Sequence, residues 1–237
     1  MKDIGMKAVV KKKQPLLSQR HRRERLDFAI SHKDWTVDDW KRVVWSDETK
    51  INCLGSDRRK WAWKKAGEGL SDRIVEGTVK FGGGSLMMWG CMMWEGVGFG
   101  CKIDGRMDAE LYTKILEDEL QQSLEYYGKE VTDVIFQQDN DPKHKSKKAK
   151  KWFEDHGYDV MIWPAQSPDL NPIEHLWTHL KKKLAEHETP PKGILELWQR
   201  TEAEWNKIEK EVCQNLIGSM PSRIEAVIKA KGGYTKY

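Results

Sequence analysis

Two segments of the chain each carry an acidic side chain out of an apolar or proline-rich context. The string FQQDNDPKH at Phe136–His144 begins apolar and reaches Asp139, and WPAQSPDLNPIEHLW at Trp163–Trp177 crosses a proline-rich turn to Glu174. A third acid, Asp47 in RVVWSDETKI, also follows an apolar run. Short apolar runs are typical of buried strands, and Asn-Pro ahead of a periodic run is typical of a helix start. The sequence therefore predicts two strands and one helix start that each deliver a carboxylate.

The order of the predicted elements indicates the fold class. Segment 55–84 is polar and rich in glycine, and a loop of this length inside a domain is usually functional or disordered. Around it, three strands, a helix, a strand, a helix and a strand are followed by a helical tail. A mixed sheet flanked by helices, an α/β fold, fits this order. The predicted strands are 42–53, 85–94, 98–103, 131–138 and 158–163, and the predicted helices are 20–32, a short one from about 36, 108–127, 143–156, 172–188, 193–210 and 211–231.

Composition limits the class of protein further. The chain has 237 residues, of which 38% are hydrophobic, so it can bury a sizeable core. We expect most of the tryptophans on apolar stretches to lie in that core, namely Trp45, Trp89, Trp163 and Trp177. There is no apolar run of about 18 residues and no secretory leader, so we expect a soluble, intracellular protein with no membrane partner. The four cysteines form no C-x-x-C, which argues against a disulfide framework and a structural zinc site.

Positive charge is clustered although the net charge is only +4. Basic clusters fall at 11–13, 20–25, 143–151 and 181–183, and such clusters can follow a phosphate backbone. Each cluster taken alone is equally well explained as a solvated helix face. Together with the acids, they favour DNA as the partner.

Three carboxylates in one site are chemically suited to divalent cations. Crowded carboxylates raise one another's pKa, and a bound cation removes that cost. Mg²⁺ prefers oxygen ligands and is commonly held by one or two carboxylates together with substrate phosphate. Two such ions can assist both the attacking and the leaving oxygen of an in-line displacement at a phosphate.

Each acid also has a structural explanation. Asp47 is consistent with a turn at a strand end, and Asp139 with the start of the Asp-Asn-Asp-Pro turn, where Asp141 competes with it for a catalytic role. Glu174 fits the capping-box position of a helix with Asn171 as N-cap and Pro172 as first residue. From the residues alone, these alternatives stay open.

The same residues carry a resemblance to a known family. The chain resembles the catalytic domain of Tc/mariner-superfamily transposases, in the Sleeping Beauty-like branch. The spacing of 34 residues between Asp139 and Glu174 is a mark of that family. The matching strings are WTVDDW at Trp35–Trp40, WSDE at Trp45–Glu48, GGGS at Gly82–Ser85, MWG at Met88–Gly90, QQDNDPKH at Gln137–His144, SPDLNPIE at Ser167–Glu174 and MPSRIEAVIKAKGG at Met220–Gly233.

The resemblance implies a fold, a site and a reaction. The fold is ribonuclease-H-like, with a clamp-type loop at about 57–80 and a helical C-terminal tail. Asp47, Asp139 and Glu174 are the implied catalytic and metal-binding residues, which selects Asp139 over Asp141, and two Mg²⁺ ions, with Mn²⁺ as a substitute, are the implied cofactors. The implied reaction is cut-and-paste transposition: strand cleavage at element ends, then DNA integration at TA. We therefore expect an enzyme of the nucleus, a DDE transposase or polynucleotidyl transferase.

Partners and domain boundaries follow as further expectations. We expect double-stranded DNA as substrate and a homodimer in the DNA complex, with Trp61 and Trp63 of the clamp loop at the dimer contact. Residues 1–40 form a basic linker or helical arm, and 41–237 the catalytic domain. The candidate DNA-binding residues are Lys143, His144, Lys145, Lys147, Lys148, Lys181 and Lys182.

The chain also departs from the pattern of the family. Lys145 stands where Thr is frequent, and Phe81 stands where His is frequent, but neither position touches the acids. The two helix-turn-helix units that precede this region in relatives are expected to be absent here, so binding to specific element ends should be weak and sensitive to salt. The alternative function is an idle transposon relic that serves as a non-specific DNA-binding or dimerisation module.

Overall fold

One five-stranded mixed sheet forms the centre of the computed structural model, which describes residues 16–53 and 84–237. The strand order is β3-β2-β1-β4-β5. The predicted clamp loop, Trp61, Trp63 and Phe81 lie outside the described residues. The strands are β1 (Val43–Asn52), β2 (Ser85–Met93), β3 (Gly96–Ile103), β4 (Ile135–Gln137) and β5 (Asp159–Val160). The helices are α1 (Gln19–Ser31), α2 (Val37–Trp40), α3 (Ala109–Ile115), α4 (Gln121–Tyr126), α5 (Lys147–His156), α6 (Ile173–Ala185), α7 (Ile194–Asn206), α8 (Lys210–Gly218) and α9 (Met220–Lys229), with a π-helical turn (Leu116–Leu120) between α3 and α4 and a 3₁₀ turn (Val131–Asp133) before β4.

The sheet is buried on both faces, so the alternation of side chains separates two cores. On one face Trp45 of β1 and Met88 of β2 pack with α1, α2 and α6 to α9. On the other face Val44 and Trp89 pack with α3, α4 and α5. This helix–sheet–helix layering confirms the predicted α/β class. All four tryptophans expected in the core are buried.

The N-terminal helices belong to the first of these cores. Phe28 of α1 lies edge-on to Trp163 with ring centroids 5.2 Å apart, and Trp40 of α2 stacks on Trp45 at 5.8 Å. The predicted domain boundary at residue 40 stays a prediction. Helices α1 and α2 nevertheless pack in the same core, against the same face of the sheet, as α6 to α9.

Several predicted elements are shorter than expected. The predicted strand 131–138 is a strand only at Ile135–Gln137, and 158–163 only at Asp159–Val160. The predicted helix 143–156 begins at Lys147, because Ser146 caps it by accepting a hydrogen bond from the Ala149 amide at 3.1 Å. Among the described helices, none is long and apolar enough to cross a membrane.

The register of β1 determines where its acid lies. β1 runs antiparallel to β2, with Asp47 opposite Gly90, and parallel to β4, with Trp45 opposite Gln137. Continuing the parallel register by two residues brings Asp139 beside Asp47. Because side chains alternate along a strand, both carboxylates face the same side of the sheet.

Gly90 lets α6 approach the sheet closely. A methyl group built on Gly90 would lie 2.9 Å from the ring of Trp177 and 3.1 Å from that of Trp205. Trp177 follows Glu174 by three residues, or about one turn of α6. The absent side chain at Gly90 therefore sets the depth at which α6 carries Glu174 over the sheet.

We expect Gly90→Ala to destabilise the protein by about 1–3 kcal/mol, because the added methyl overpacks two buried indoles. The thermal unfolding midpoint should fall by several degrees. Gly218→Ala is the matched control, since a methyl there meets nothing within 4 Å. Equal midpoints for the two variants would contradict the close approach.

Candidate active site

Glu174 lies in the first turn of α6 and faces Asp47 rather than its own helix end. The Asn171 amide donates to the Pro168 carbonyl at 3.1 Å, so Glu174 does not complete the capping box that the sequence allowed. Asn171 offers only a long contact of 3.4 Å from its Oδ1 to the Ile173 amide. The Glu174 carboxylate instead interacts electrostatically with that of Asp47.

The surroundings of Asp47 strongly disfavour the charged form of its carboxyl group. Burial, followed by repulsion from Glu174, Glu48 and Asp139, raises its pKa well above the ordinary value. Burial also raises the pKa of Glu174, while Lys181 and the contact with Asp47 oppose that effect. The pair therefore concentrates buried negative charge that a cation could neutralise.

Asp139 differs because protein donors satisfy it. Its Oδ1 accepts hydrogen bonds from the Asp141 amide at 2.9 Å and from His144 Nδ1 at 2.7 Å. Burial opposes ionisation, but these hydrogen bonds outweigh it and lower the pKa of Asp139. About half of its side chain remains exposed, at 51%. Asp139 thus takes part in a turn, as its structural explanation expected, and still presents a charged carboxylate outward.

Asp141, the other candidate for the catalytic acid, makes its contacts within its own loop. Its carboxylate accepts from the Lys143 amide at 3.0 Å and pairs with Lys143 Nζ at 2.8 Å. The next residue back, Asn140, donates to the Trp163 carbonyl at 2.8 Å. That bond ties the loop after β4 to the segment leading into α6.

His144 bridges two carboxylates inside the site. Its Nε2 lies 3.1 Å from Glu48 Oε1, its other nitrogen bonds Asp139, and its ring packs on Tyr112 with centroids 4.1 Å apart. Burial favours the neutral ring, but the bonds and charges of Asp139 and Glu48 raise the pKa of His144 to about 9. The side chain is only 4% exposed, so the phosphate contact predicted for His144 does not fit its position.

Glu48 is the residue that the sequence analysis missed. Strand alternation turns Glu48 away from Asp47, toward the face where Tyr112 and His144 lie. The available signal was two consecutive acids, which lie inside β1 rather than in the turn at a strand end considered for Asp47, with a histidine seven residues after β4.

The three predicted acids line one cleft of about 470 Å³. Its walls are the loop after β4 and the segment Pro164–Asn171, in which Gln166 and Pro168 are exposed. Carboxylate oxygens are the donors that Mg²⁺ and Mn²⁺ prefer, so the donor set fits a hard cation. In the part of the chain that the structure describes, however, no group of three or more acidic, His or Cys side chains is arranged to hold an ion. Each predicted acid is engaged with a protein partner.

The predicted DNA-binding lysines occupy three settings. Lys145, Lys147 and Lys148 are exposed near the start of α5, and Lys145 lines a cavity that also reaches Asp139. Lys143 is mostly buried against Asp141. Lys181 and Lys182 lie on α6, about two turns after Glu174. Their role as DNA contacts stays a prediction.

Comparison with known proteins agrees with the geometry. The family model described as "DDE superfamily endonuclease" matches residues 42–193. The Tcb1 transposase of Caenorhabditis briggsae is 39% identical over 231 residues, covering 95% of this chain and 81% of that protein. A Mos1 transposase paired-end complex with the left transposon end has a TM-score of 0.82 at 21% identity, over 99% of this chain and 69% of that one. The Mos1 catalytic domain with Raltegravir and Mg has a TM-score of 0.72 at 19% identity, and the match covers 94% of this chain and 100% of that domain.

The fold and the family match define a class: the chain belongs to the DDE superfamily of endonucleases. The likeness to the Mos1 catalytic domain confirms the predicted ribonuclease-H-like fold. Within the class, the chain is a Tc/mariner transposase catalytic domain, an enzyme of the polynucleotidyl transferase type that acts in cut-and-paste transposition.

The bridge made by His144 predicts an unusual titration in metal-free protein. We expect NMR to give His144 a pKa of about 9. Because this folded-state pKa is above that of an unfolded histidine, its stabilisation is complete below about pH 6.5 and is lost as the pH rises through about 9. Asp139→Asn should lower the pKa of His144. A pKa near 6.5 in wild type would contradict the bridge.

Proposed function

We propose that Asp47, Asp139 and Glu174 hold two divalent cations, Mg²⁺ or Mn²⁺, for cleavage and rejoining of DNA strands. The observation that carries this proposal is the convergence of β1, the end of β4 and the start of α6 on one cleft, where the pKa of Asp47 is raised well above its ordinary value. Repulsion of this kind lowers the free energy of unfolding in the absence of a ligand. Clusters that carry this cost are typical of sites that bind a charged ligand.

The protein's own groups divide the work. Burial disfavours the charged forms of Asp47 and Glu174, and bound cations would offset that cost, whereas the hydrogen bond from His144 lowers the pKa of Asp139. Bound divalent ions would supply charge stabilisation for the attacking and leaving oxygens. The exposed lysines near the start of α5 would hold the phosphate backbone beside the cleft.

The relatives support the metal and the substrate. Solved Mos1 structures are described as containing Mg and Mn, and others as paired-end complexes or as a pre-cleavage transpososome. By analogy, double-stranded DNA at element ends is the substrate of this chain, and TA is its target. A homodimer in the DNA complex and a nuclear location are proposed on the family resemblance alone.

One observation favours the alternative of an idle, non-specific DNA-binding or dimerisation module. Among residues 16–53 and 84–237, the acids are not arranged as a metal-binding group. In that alternative the chain would bind DNA equally well with and without Asp47 and would not turn over with metal.

Nicking of supercoiled DNA separates the two functions. We expect Mn²⁺-dependent nicking by wild type and a loss of at least about 100-fold in Asp139→Asn, beyond the range typical of partners outside the ligand set. Asp141→Asn is the matched control, because it removes a neighbouring carboxylate that is paired with Lys143; it should lose much less. Equal nicking by wild type and Asp139→Asn would identify a contaminant and reject the proposal.

The salt dependence of DNA binding tests the basic surface. Replacing both Lys145 and Lys147 with Ala should make the slope of log affinity against log salt less steep, by about 1 for each phosphate that the variant no longer neutralises. Replacing Lys210 and Lys229, two exposed lysines that do not line the cleft, is the control with the same charge change. The same slope for both double variants would place the DNA elsewhere on the surface.

A further inference from the structure

A buried ionic network lies directly behind the wall of the cleft. Arg25 of α1 is 1% exposed and makes a two-pronged contact with Asp169, at 2.6 and 2.7 Å. The same guanidinium donates to the carbonyls of Gly232 and Gly233, each at 3.0 Å, and of Gln166 at 3.2 Å. One side chain therefore joins the N-terminal helix, the cleft wall and the C-terminal tail.

A second buried arginine approaches the same carboxylate-bearing loop from the other side. Arg223 of α9 donates to the Asp169 carbonyl at 2.7 Å, to Ser219 Oγ at 2.9 Å and to His175 Nδ1 at 2.8 Å. His175 is the neighbour of Glu174 in α6. In the tail, Thr235 Oγ1 donates to Asp169 Oδ2 at 2.7 Å.

The cleft wall has a conformation that needs such support. Gln166 has φ of 57°, a left-handed conformation that is uncommon for a residue with a side chain. Strained backbone of this kind persists only when surrounding contacts enforce it. The carbonyl of Gln166 is held by Arg25, and the residue lines the same cleft as Asp139.

The tail fits against α1 with no spare room. Gly232 has φ of 74°, and a side chain there would overlap the carbonyl of Arg22. Only glycine meets both conditions. The close fit fixes the two Gly carbonyls that receive Arg25.

We propose that Arg25, Asp169, Arg223 and Thr235 form a latch that positions Glu174 and the wall Pro164–Asn171 for strand cleavage. The contacts of the latch fall on both sides of Glu174 in sequence, at Gln166 and Asp169 before it and at His175 after it. These four are positioning residues, and displacement of α1 or the tail would act on the reaction through them. The proposal rests on the proposed function, since it concerns the same carboxylate.

Thr235→Val is the most selective test, because it keeps the side-chain shape and removes the hydrogen bond to Asp169, together with a long one of 3.4 Å from the Tyr237 amide. Its matched control is Thr201→Val in α7, where a buried threonine donates to the Leu197 carbonyl, also at 2.7 Å, away from the cleft. The thermal unfolding midpoint of each variant shows how much stability each substitution costs, so that the two can be compared. Asp169→Asn is the stronger variant, since it leaves the buried guanidinium of Arg25 without its carboxylate partner.

Two measurements distinguish positioning from stability alone. At saturating DNA, we expect Thr235→Val to lower the maximal Mn²⁺-dependent nicking rate by about 3–30-fold with unchanged DNA affinity, a range set by the 10–100-fold typical of partners of metal ligands. The Mn²⁺ concentration that gives half of the metal-induced rise in unfolding midpoint should increase by a similar factor. Thr201→Val should change neither quantity.

The outcomes separate the latch from the proposed function. Wild type that neither nicks DNA nor gains stability from Mn²⁺ would reject the proposed function and the latch with it. Wild type that nicks DNA while Thr235→Val and Thr201→Val share its rate and its Mn²⁺ midpoint would reject the latch alone. A loss confined to Thr235→Val, and larger in Asp169→Asn, supports the latch.

Discussion

The parallel pairing of β1 with β4 is the constraint on which the site depends. Its register carries Asp47, in the middle of β1, beside Asp139, two residues past the end of β4. A slip of one residue would turn one of the two carboxylates to the opposite face. The bond from Ser46 Oγ to the Gln137 carbonyl, at 2.8 Å, extends the pairing just beyond the short β4 and so helps to fix that register.

Charge within the site is divided unevenly between its two halves. Burial raises the pKa of both Asp47 and Glu174, whereas hydrogen bonds from His144 and a backbone amide lower the pKa of Asp139. His144 can do this because Glu48, on the opposite face of β1, bonds its second nitrogen. The two faces of β1 are therefore coupled at this point. The pair of Glu48 and His144, beside one face, sets the charge state of Asp139 in the cleft on the other face.

Much of the fold could be predicted from the sequence, and the gaps have physical causes. Apolar runs indicated every strand, but β4 and β5 are shorter than their runs because residues such as Trp163 are buried by tertiary packing without strand pairing. The three acids could be selected by family resemblance, whereas periodicity alone left Asp139 and Asp141 equal. Glu48 and the burial of His144 were missed, because they depend on a contact across 96 residues of sequence. Structural and catalytic explanations were weighed as alternatives, but Asp139 fits a turn and a charged site together.

The string SPDLNPIE shows that the acids of one motif can have different roles. Its glutamate faces Asp47, yet its aspartate, Asp169, turns away from the cleft to meet Arg25. Two buried guanidinium groups beside one acidic residue are costly unless their donors are satisfied, and here the carboxylate and the carbonyl of Asp169 and carbonyls of the tail and the cleft wall accept hydrogen bonds from them. Such an arrangement forms only when α1, the cleft wall and the tail are all in place. The geometry of Glu174 is thus tied to elements at both ends of the described chain, and the motif joins the chemistry of the site to the completeness of the fold.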